Sequence, residues 1–88
     1  MKLRWQSTPI TTVITVENRS WGSELLASRG EKYATIYRPY SGFGCWPQLP
    51  TDTYWRRVEV HGPLFRGSFL CDGIDKAQRL AEAILCSS

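Results

Sequence analysis

The chain has 88 residues, of which 42% are hydrophobic and 22% are charged, and its formal net charge at pH 7 is +3. This length provides one modest hydrophobic core and leaves no room for a second, while the composition excludes a disordered chain. No stretch approaches the ~20 apolar residues that span a bilayer, and a charge of this size is too ordinary to identify a nucleic-acid partner.

The first predicted element is a strand at residues 10–16, "ITTVITV", because the segment is rich in β-branched residues. The next segment, "NRSWGS", is predicted to be a turn in which Asn18 and Gly22 take positive φ. The following "ELLASR" is compatible with a short second strand or with a helical turn.

A clearer strand follows at "KYATIYRP", where the residues alternate in character. Tyr33 and Tyr37 are predicted to face one side of the sheet, and Ala34 and Ile36 the other. Pro39 ends this strand or marks it as an edge.

Residues 40–50, "YSGFGCWPQLP", are predicted to form an ordered flap, because the loop carries enough apolar side chains to pack on itself. Gly42 and Gly44 allow tight bends there. The exposed rim of the flap, with Phe43, is a candidate contact site, although the loop would serve equally well as a cover over the core.

Two segments around "HGP" predict a hairpin, namely "TYWRRVEV" at residues 53–60 and "LFRGSFLC" at 64–71. A turn centred on Gly62 and Pro63 would set Val60 opposite Phe65, and would place an apolar set on one face and an opposite-charge pair on the other. The residues expected to point away from the core are Trp55, Arg57, Glu59, His61 and Arg66.

The last segment predicts a helix from about residue 73 to 85, with an apolar stripe that covers the sheet through Leu80, Ile84 and Leu85. Asp72 has the side chain of a good N-cap. The expected fold is therefore α+β: a single domain over residues 1–88, with an antiparallel meander of about four strands and one C-terminal helix packed on one face.

The residues that carry enzyme chemistry are sparse. His61 is the single histidine and lies at a predicted turn, and the carboxylates are accounted for by a loop, a cross-strand pair and the helix start. No two candidate ligands have the close spacing of a zinc site, and no phosphate-binding glycine motif precedes a helix. We therefore expect no catalytic residue, no metal, no cofactor and no enzyme activity.

The cysteines and the first ten residues indicate the cellular compartment of the protein. Cys45, Cys71 and Cys86 are an odd number at long spacings, which argues against a disulfide framework and fits a reducing compartment. The opening "MKLRWQSTPI" has no apolar region of the kind that signal peptides carry. We expect a cytoplasmic protein that does not enter a membrane.

Interleaved aromatic and arginine residues are the one constellation that indicates binding. Such a surface suits a protein partner, since Trp, Tyr and Arg are enriched in interfaces, and it also suits single-stranded nucleic acid. The third reading is that many of these aromatics simply form the core. The candidate partner-binding residues are Tyr37, Arg38, Phe43, Trp55, Arg57 and Arg66.

The segments "KYATIYRPY", "YWRRVEV" and "IDKAQRLAEAIL", in this order, resemble short prophage-encoded proteins that end in a meander and an alanine-rich helix. The resemblance covers about the last two-thirds of the chain, and these proteins include anti-CRISPR and other counter-defence inhibitors. It implies a small non-enzymatic protein that occupies a surface of a host complex. Such inhibitors share no common binding residues, so none is carried over to this chain.

The leading hypothesis is a phage or prophage inhibitor in the cytoplasm of a bacterial host, which binds a defence protein or a CRISPR-Cas-like nucleoprotein complex and blocks it sterically. The first alternative is a nucleic-acid-binding protein that uses a basic, aromatic sheet face, for which we expect weak binding. The second is an oligomeric structural protein, a homodimer for example, whose exposed aromatics form its self-interface.

Overall fold

A computed structural model describes residues 3–8, 12–40 and 54–86. They form an antiparallel sheet of six strands with one C-terminal helix, which confirms the α+β class and corrects the expected number of about four strands. The elements are β1 (Gln6–Ser7), β2 (Val13–Val16), β3 (Arg19–Arg29), β4 (Lys32–Pro39), β5 (Arg56–His61), β6 (Arg66–Cys71) and α1 (Ile74–Leu85).

The sheet is a meander from β3 to β6, in which each strand pairs antiparallel with the next. Both β1 and β2 pair with β3, each along its own part of that strand, with Gln6 opposite Leu26 and Val13 opposite Gly22. The described strands therefore end at β6 on one side of the sheet and at β1 and β2 on the other.

Strand β3 begins inside the segment that was predicted to be a turn. The turn lies earlier, at Glu17 and Asn18, whose φ angles are 53° and 65°. Gly22 lies within the strand, because the pairing of β2, β3 and β4 buries the neighbouring Trp21. The free energy gained by burying this side chain exceeds the local preference of glycine for a turn. A bulge between Ser23 and Leu25 then changes which residues of β3 face the helix.

The core lies between α1 and the middle of the sheet. Its strand residues confirm the predicted alternation in β4, since Ala34 and Ile36 face the helix together with Val58 and Val60 of β5. Alanines on the helix allow its backbone to come close to the sheet. The fully buried helix residues are Ala77, Ala81 and Leu85.

The amino-terminal segment contacts the helix as well as the sheet, to which it is joined by the pairing of β1 with β3. Leu3 and Trp5 pack against the core, and the backbone N–H of Leu3 and the indole N–H of Trp5 both donate to the Glu82 carboxylate at 3.2 Å. Trp5 is therefore a core-covering residue, in line with the third reading of the aromatic residues.

The helix start differs from the prediction by one residue. Its N-cap is Gly73, at φ 153° and ψ 152°, a region that is open essentially to glycine alone. Asp72 does not cap the helix but pairs with Lys76 at 2.8 Å, and this hydrogen-bonded ion pair lowers the pKa of the Asp72 carboxyl. The predicted cap was therefore wrong in position.

The hairpin of β5 and β6 has the predicted faces but a register that differs by two residues. Its turn is formed by Pro63 and Leu64, and the Gly62 N–H donates to the Phe65 carbonyl at 2.9 Å. Because Gly62 continues the hydrogen bonding just beyond the end of β5, Pro63 takes the first corner of the turn, where its fixed φ fits. Val60 consequently lies opposite Gly67 rather than Phe65.

Candidate functional site

The sheet face opposite α1 carries a second, smaller hydrophobic cluster. It is built on Trp21 and Tyr37, which are 2% and 5% exposed, and Ile14, Val16 and Trp55 pack around them. Trp21 and Tyr37 lie on the same face because Trp21 is opposite Pro39, two residues along β4. We call these five residues the Trp21 cluster.

Arg57 of β5 covers the Trp21 cluster with its charged group. The guanidinium carbon lies 5.1 Å from the centroid of the Trp21 ring, within the range of a cation–π interaction, and Nη1 donates to the Ser68 hydroxyl at 3.2 Å. The Nε atom of Arg57 is buried and has no hydrogen-bond partner among the described residues. This cation is held in place while retaining capacity to bind an anion.

The neighbouring arginine has a different environment. Arg56 points to the other face of the sheet, where its Nε donates to Glu24 of β3 at 2.8 Å in an ion pair. In contrast, no carboxylate within the described part of the chain forms an ion pair with Arg57. The sequence pair Arg56 and Arg57 therefore supplies one structural cation and one that is available to a partner.

A polar group of side chains lies beside the Trp21 cluster on the same face. Tyr33 and His61 are directly opposite across β4 and β5, and their rings stack with centroids 4.6 Å apart and planes at 11°. His61 Nε2 lies 3.5 Å from a Glu59 carboxylate oxygen, and Arg66 Nε donates to His61 Nδ1 at 3.5 Å. An imidazole that accepts at Nδ1 and donates at Nε2 fits both neighbours.

Glu59 joins the polar group to the Trp21 cluster. Burial, followed by the charge of Glu59 and a hydrogen bond to it, raises the pKa of Tyr37 to about 12 from 10.0. A neutral phenol donates that hydrogen bond to the carboxylate. Glu59 thus has Tyr37 on one side and His61 on the other, so its charge is fixed in position between Arg57 and Arg66.

These side chains form one surface, which we call the binding face, and it combines both signs of charge with exposed aromatic and apolar groups. Tyr33 is 42% and Leu70 51% exposed. A shallow cleft of about 500 Å³ opens beside Glu59, His61 and Arg66. The binding face consists of Tyr33, Arg57, Glu59, His61, Arg66 and Leu70.

The structure places the six predicted contact residues in three groups. Trp55, Arg57 and Arg66 lie on the face opposite the helix, as expected, and Tyr37 lies there too but is buried beneath them. Arg38 is exposed on the other face, because successive strand residues point to opposite sides. Phe43 and the predicted flap beyond Tyr40 lie outside the described residues.

Four residues of the binding face were not among the predicted contact residues: Glu59 and His61, which were expected only to point away from the core, and Tyr33 and Leu70. Alternation along β4 places Tyr33 on this side, yet its stacking on His61 depends on the pairing of β4 with β5. Leu70 lies opposite Arg57, a pair that appears only in the observed hairpin register. For Tyr33 and Leu70, the sequence did not indicate which residues pair across neighbouring strands, although it did indicate the polarity of each side chain.

The remaining chemistry of the described residues is limited. Residues 3–8, 12–40 and 54–86 contain no group of three or more His, Cys, Asp or Glu side chains placed to hold a metal ion. Burial, and then the charge of Asp72, raises the pKa of the Cys71 thiol, which disfavours the reactive thiolate. Nor does this part of the chain include a helix with the length and apolar character to cross a membrane.

Comparisons with protein-family models, with curated proteins and with solved structures gave no match to this chain.

Proposed function

We propose that this protein is a non-catalytic binding module that contacts another protein through the binding face. The observation that carries the proposal is Arg57, a partly buried cation that rests on Trp21 and has no ion-pair partner in the described part of the chain. Its side chain is already ordered, so a partner carboxylate would bind it at a low entropic cost.

The other charges of the binding face support a protein partner with a specific pattern of charge. Glu59 lies between the two arginines and is held by Tyr37 and His61, so the face offers a fixed negative site between two positive ones. Such alternation suits a partner surface that carries complementary charges of both signs. A partner that places like charges opposite these residues would bind with lower affinity. Leu70 adds an exposed apolar contact at the margin.

The same geometry makes nucleic acid the weaker candidate. Trp21 and Tyr37 are buried, so neither ring has a free face on which a base could stack, and Arg57 already covers Trp21. Glu59 would lie close to any phosphate that bridged Arg57 and Arg66. Tyr33 alone among the aromatics of the binding face is well exposed.

The class of partner comes from the resemblance of the sequence to counter-defence inhibitors. We propose that the chain acts in the cytoplasm of a bacterial host and occupies a surface of a defence protein or of a CRISPR-Cas-like nucleoprotein complex. A module without catalytic groups would inhibit such a complex by steric occupation. Arg57 and Arg66 make the contact, and Arg38, which lies on the opposite face, has no role in it.

The experiment is capture from bacterial lysate with the tagged protein, repeated after nuclease treatment. We expect a partner that is retained after nuclease treatment, because the contact is with protein. Arg57→Ala should reduce capture at least about fivefold, since truncation of a central arginine in an interface costs more than about 1 kcal/mol. Arg38→Ala is the matched control, and it should leave capture unchanged.

Two results would contradict this proposal. One is loss of all captured material on nuclease treatment, which would favour nucleic-acid binding. The other is equal capture by the wild type and by Arg57→Ala, with far-UV circular dichroism showing that the variant is folded, because the contact would then lie elsewhere on the molecule.

A further inference from the structure

Strand β6 ends the sheet, and its outer side carries features that favour pairing with another strand. Within the described residues it has one neighbour, β5. Natural edge strands are commonly protected by lysine, proline, bulges or very short length. Arg66–Cys71, "RGSFLC", is an uninterrupted strand of six residues whose charged residue is Arg66, at its beginning.

Apolar side chains are exposed on both faces of this strand. Phe69 lies on the helix side and is 39% exposed, and Leu70 lies on the opposite side. α1 packs mainly on β4 and β5, so it leaves Phe69 at the margin of the core. The Phe69 ring lies against Gly67 of its own strand, where an added Cβ would come within 2.9 Å of the ring.

The backbone groups that face outward follow from the hairpin register. Gly62 and Phe65 form a hydrogen-bonded pair, and such pairs alternate along an antiparallel ladder. Gly67 and Phe69 therefore direct their N–H and C=O groups towards β5. Arg66, Ser68 and Leu70 direct theirs away from the sheet, where a further strand can bind them.

We infer that β6 pairs antiparallel with β6 of a second copy of this chain, with Phe69 on the two-fold axis. Residues opposite each other in an antiparallel pair lie on the same sheet face, so Ser68 meets Leu70 of the second copy in a hydrogen-bonded pair. Phe69 then meets itself in a non-hydrogen-bonded pair, where side chains come closest.

Charge complementarity favours this register over the one that places Ser68 on the axis. It brings Arg66 next to Asp72 of the second copy, the residue that follows the end of β6, and the two-fold axis makes this pair twice. A shift by two residues, with Ser68 on the axis, would set Arg66 opposite Leu70 and Phe69 opposite Gly67, and would lose both the ion pairs and the aromatic pair. Asp72 is exposed, so a second cation can approach its carboxylate in addition to Lys76.

The dimer is expected to be weak because it joins two strands of six residues, a contact at the small end of protein interfaces. The test is sedimentation velocity of the full chain from about 10 to 500 µM, and we expect a dimer with a dissociation constant on the order of tens of micromolar. Leu70→Lys places a charge on the edge and should weaken association at least about tenfold while the fold is retained.

The register is tested with two charge variants. In Arg66→Asp both contacts join two carboxylates, and in Asp72→Arg both join two arginines, so each variant alone should associate about tenfold more weakly than the wild type. Mixed in equal amounts, the two variants form opposite-charge contacts at both positions. The mixture should therefore recover the wild-type association.

A wild-type chain that stays monomeric over the whole concentration range would overturn the inference. So would a dimer that Leu70→Lys leaves unchanged, or a mixture that associates no better than its components. The dimer shares Arg66 and Leu70 with the binding face, but it does not involve Arg57. Arg57→Ala should therefore leave the dimer intact while it weakens capture of the partner. A failure of the dimer proposal can thus be told apart from a failure of the proposed function.

Discussion

Tyr37 connects the two parts of the face opposite the helix, and its ionisation has a predictable effect on stability. Its pKa is raised from 10.0 to about 12, first by burial and then by Glu59. The folded chain therefore holds the phenolic proton more tightly than the unfolded chain does. The resulting stabilisation is complete below pH 10 and is lost as the pH rises towards 12.

We expect the wild type to lose about 2 kcal/mol of unfolding free energy between pH 8 and pH 12 because of Tyr37 alone. Tyr37→Phe removes the titrating group and keeps the ring, so it should lack this part of the loss. The measurement is urea unfolding of both proteins from pH 8 to pH 12. Parallel curves over that range would show that the Tyr37 phenol is not in the environment described.

At the scale of the element, α1 provides the apolar stripe that closes the main core, but its residues contribute unequally. Leu85 is fully buried against β4 and β5, whereas Leu80 is partly buried. Leu85→Ala should cost about 2 to 5 kcal/mol, and Leu80→Ala about 1 to 2 kcal/mol. Thermal or urea unfolding measures the stability of both variants, and Ala83→Ser, on the exposed side of the helix, is the control. Equal losses of unfolding free energy in Leu80→Ala and Leu85→Ala would contradict this packing.

The faces of the elements were more predictable from sequence than their pairing. Alternation in "KYATIYRP" and the stripe in "IDKAQRLAEAIL" depend on local side-chain character, and both were found on the predicted sides. The hairpin register depended on one turn, in which Gly62 hydrogen-bonds to Phe65 and the corner falls at Pro63 and Leu64. A shift of the register by two residues leaves each side chain on the same sheet face. The prediction of which residues point outward was therefore confirmed, although the prediction of their cross-strand partners was wrong.

Long-range pairing accounts for the parts of the site that local patterns did not indicate. The burial of Trp21 results from three strands, and its glycine neighbour alone suggests a turn. The stack of Tyr33 on His61 depends on the register of β4 with β5, strands that are joined by a segment much longer than a tight turn. Local sequence does not fix such a register, because it is set by what each pairing buries.

At the scale of the whole molecule, α1 covers one face of the sheet, and among the described residues no element covers the opposite face or pairs with the outer side of β6. The net charge of +3 is modest, and Glu59 lies among the cations of the binding face. These features give a surface with a local charge pattern rather than a continuous positive track. The binding face and the outer side of β6 are adjacent through Arg66 and Leu70, so a dimer would bring two binding faces to one side of a continuous sheet.

The most direct test of the central claim, that the binding face recognises protein rather than nucleic acid, is titration of the chain with mixed-sequence single-stranded oligonucleotides at physiological salt. We predict weak binding that falls further with added salt, by about 0.7 log units of affinity per log unit of salt for each phosphate contacted. The contradicting result is submicromolar binding that disappears when Arg57→Ala and Arg66→Ala are combined in a protein that still folds.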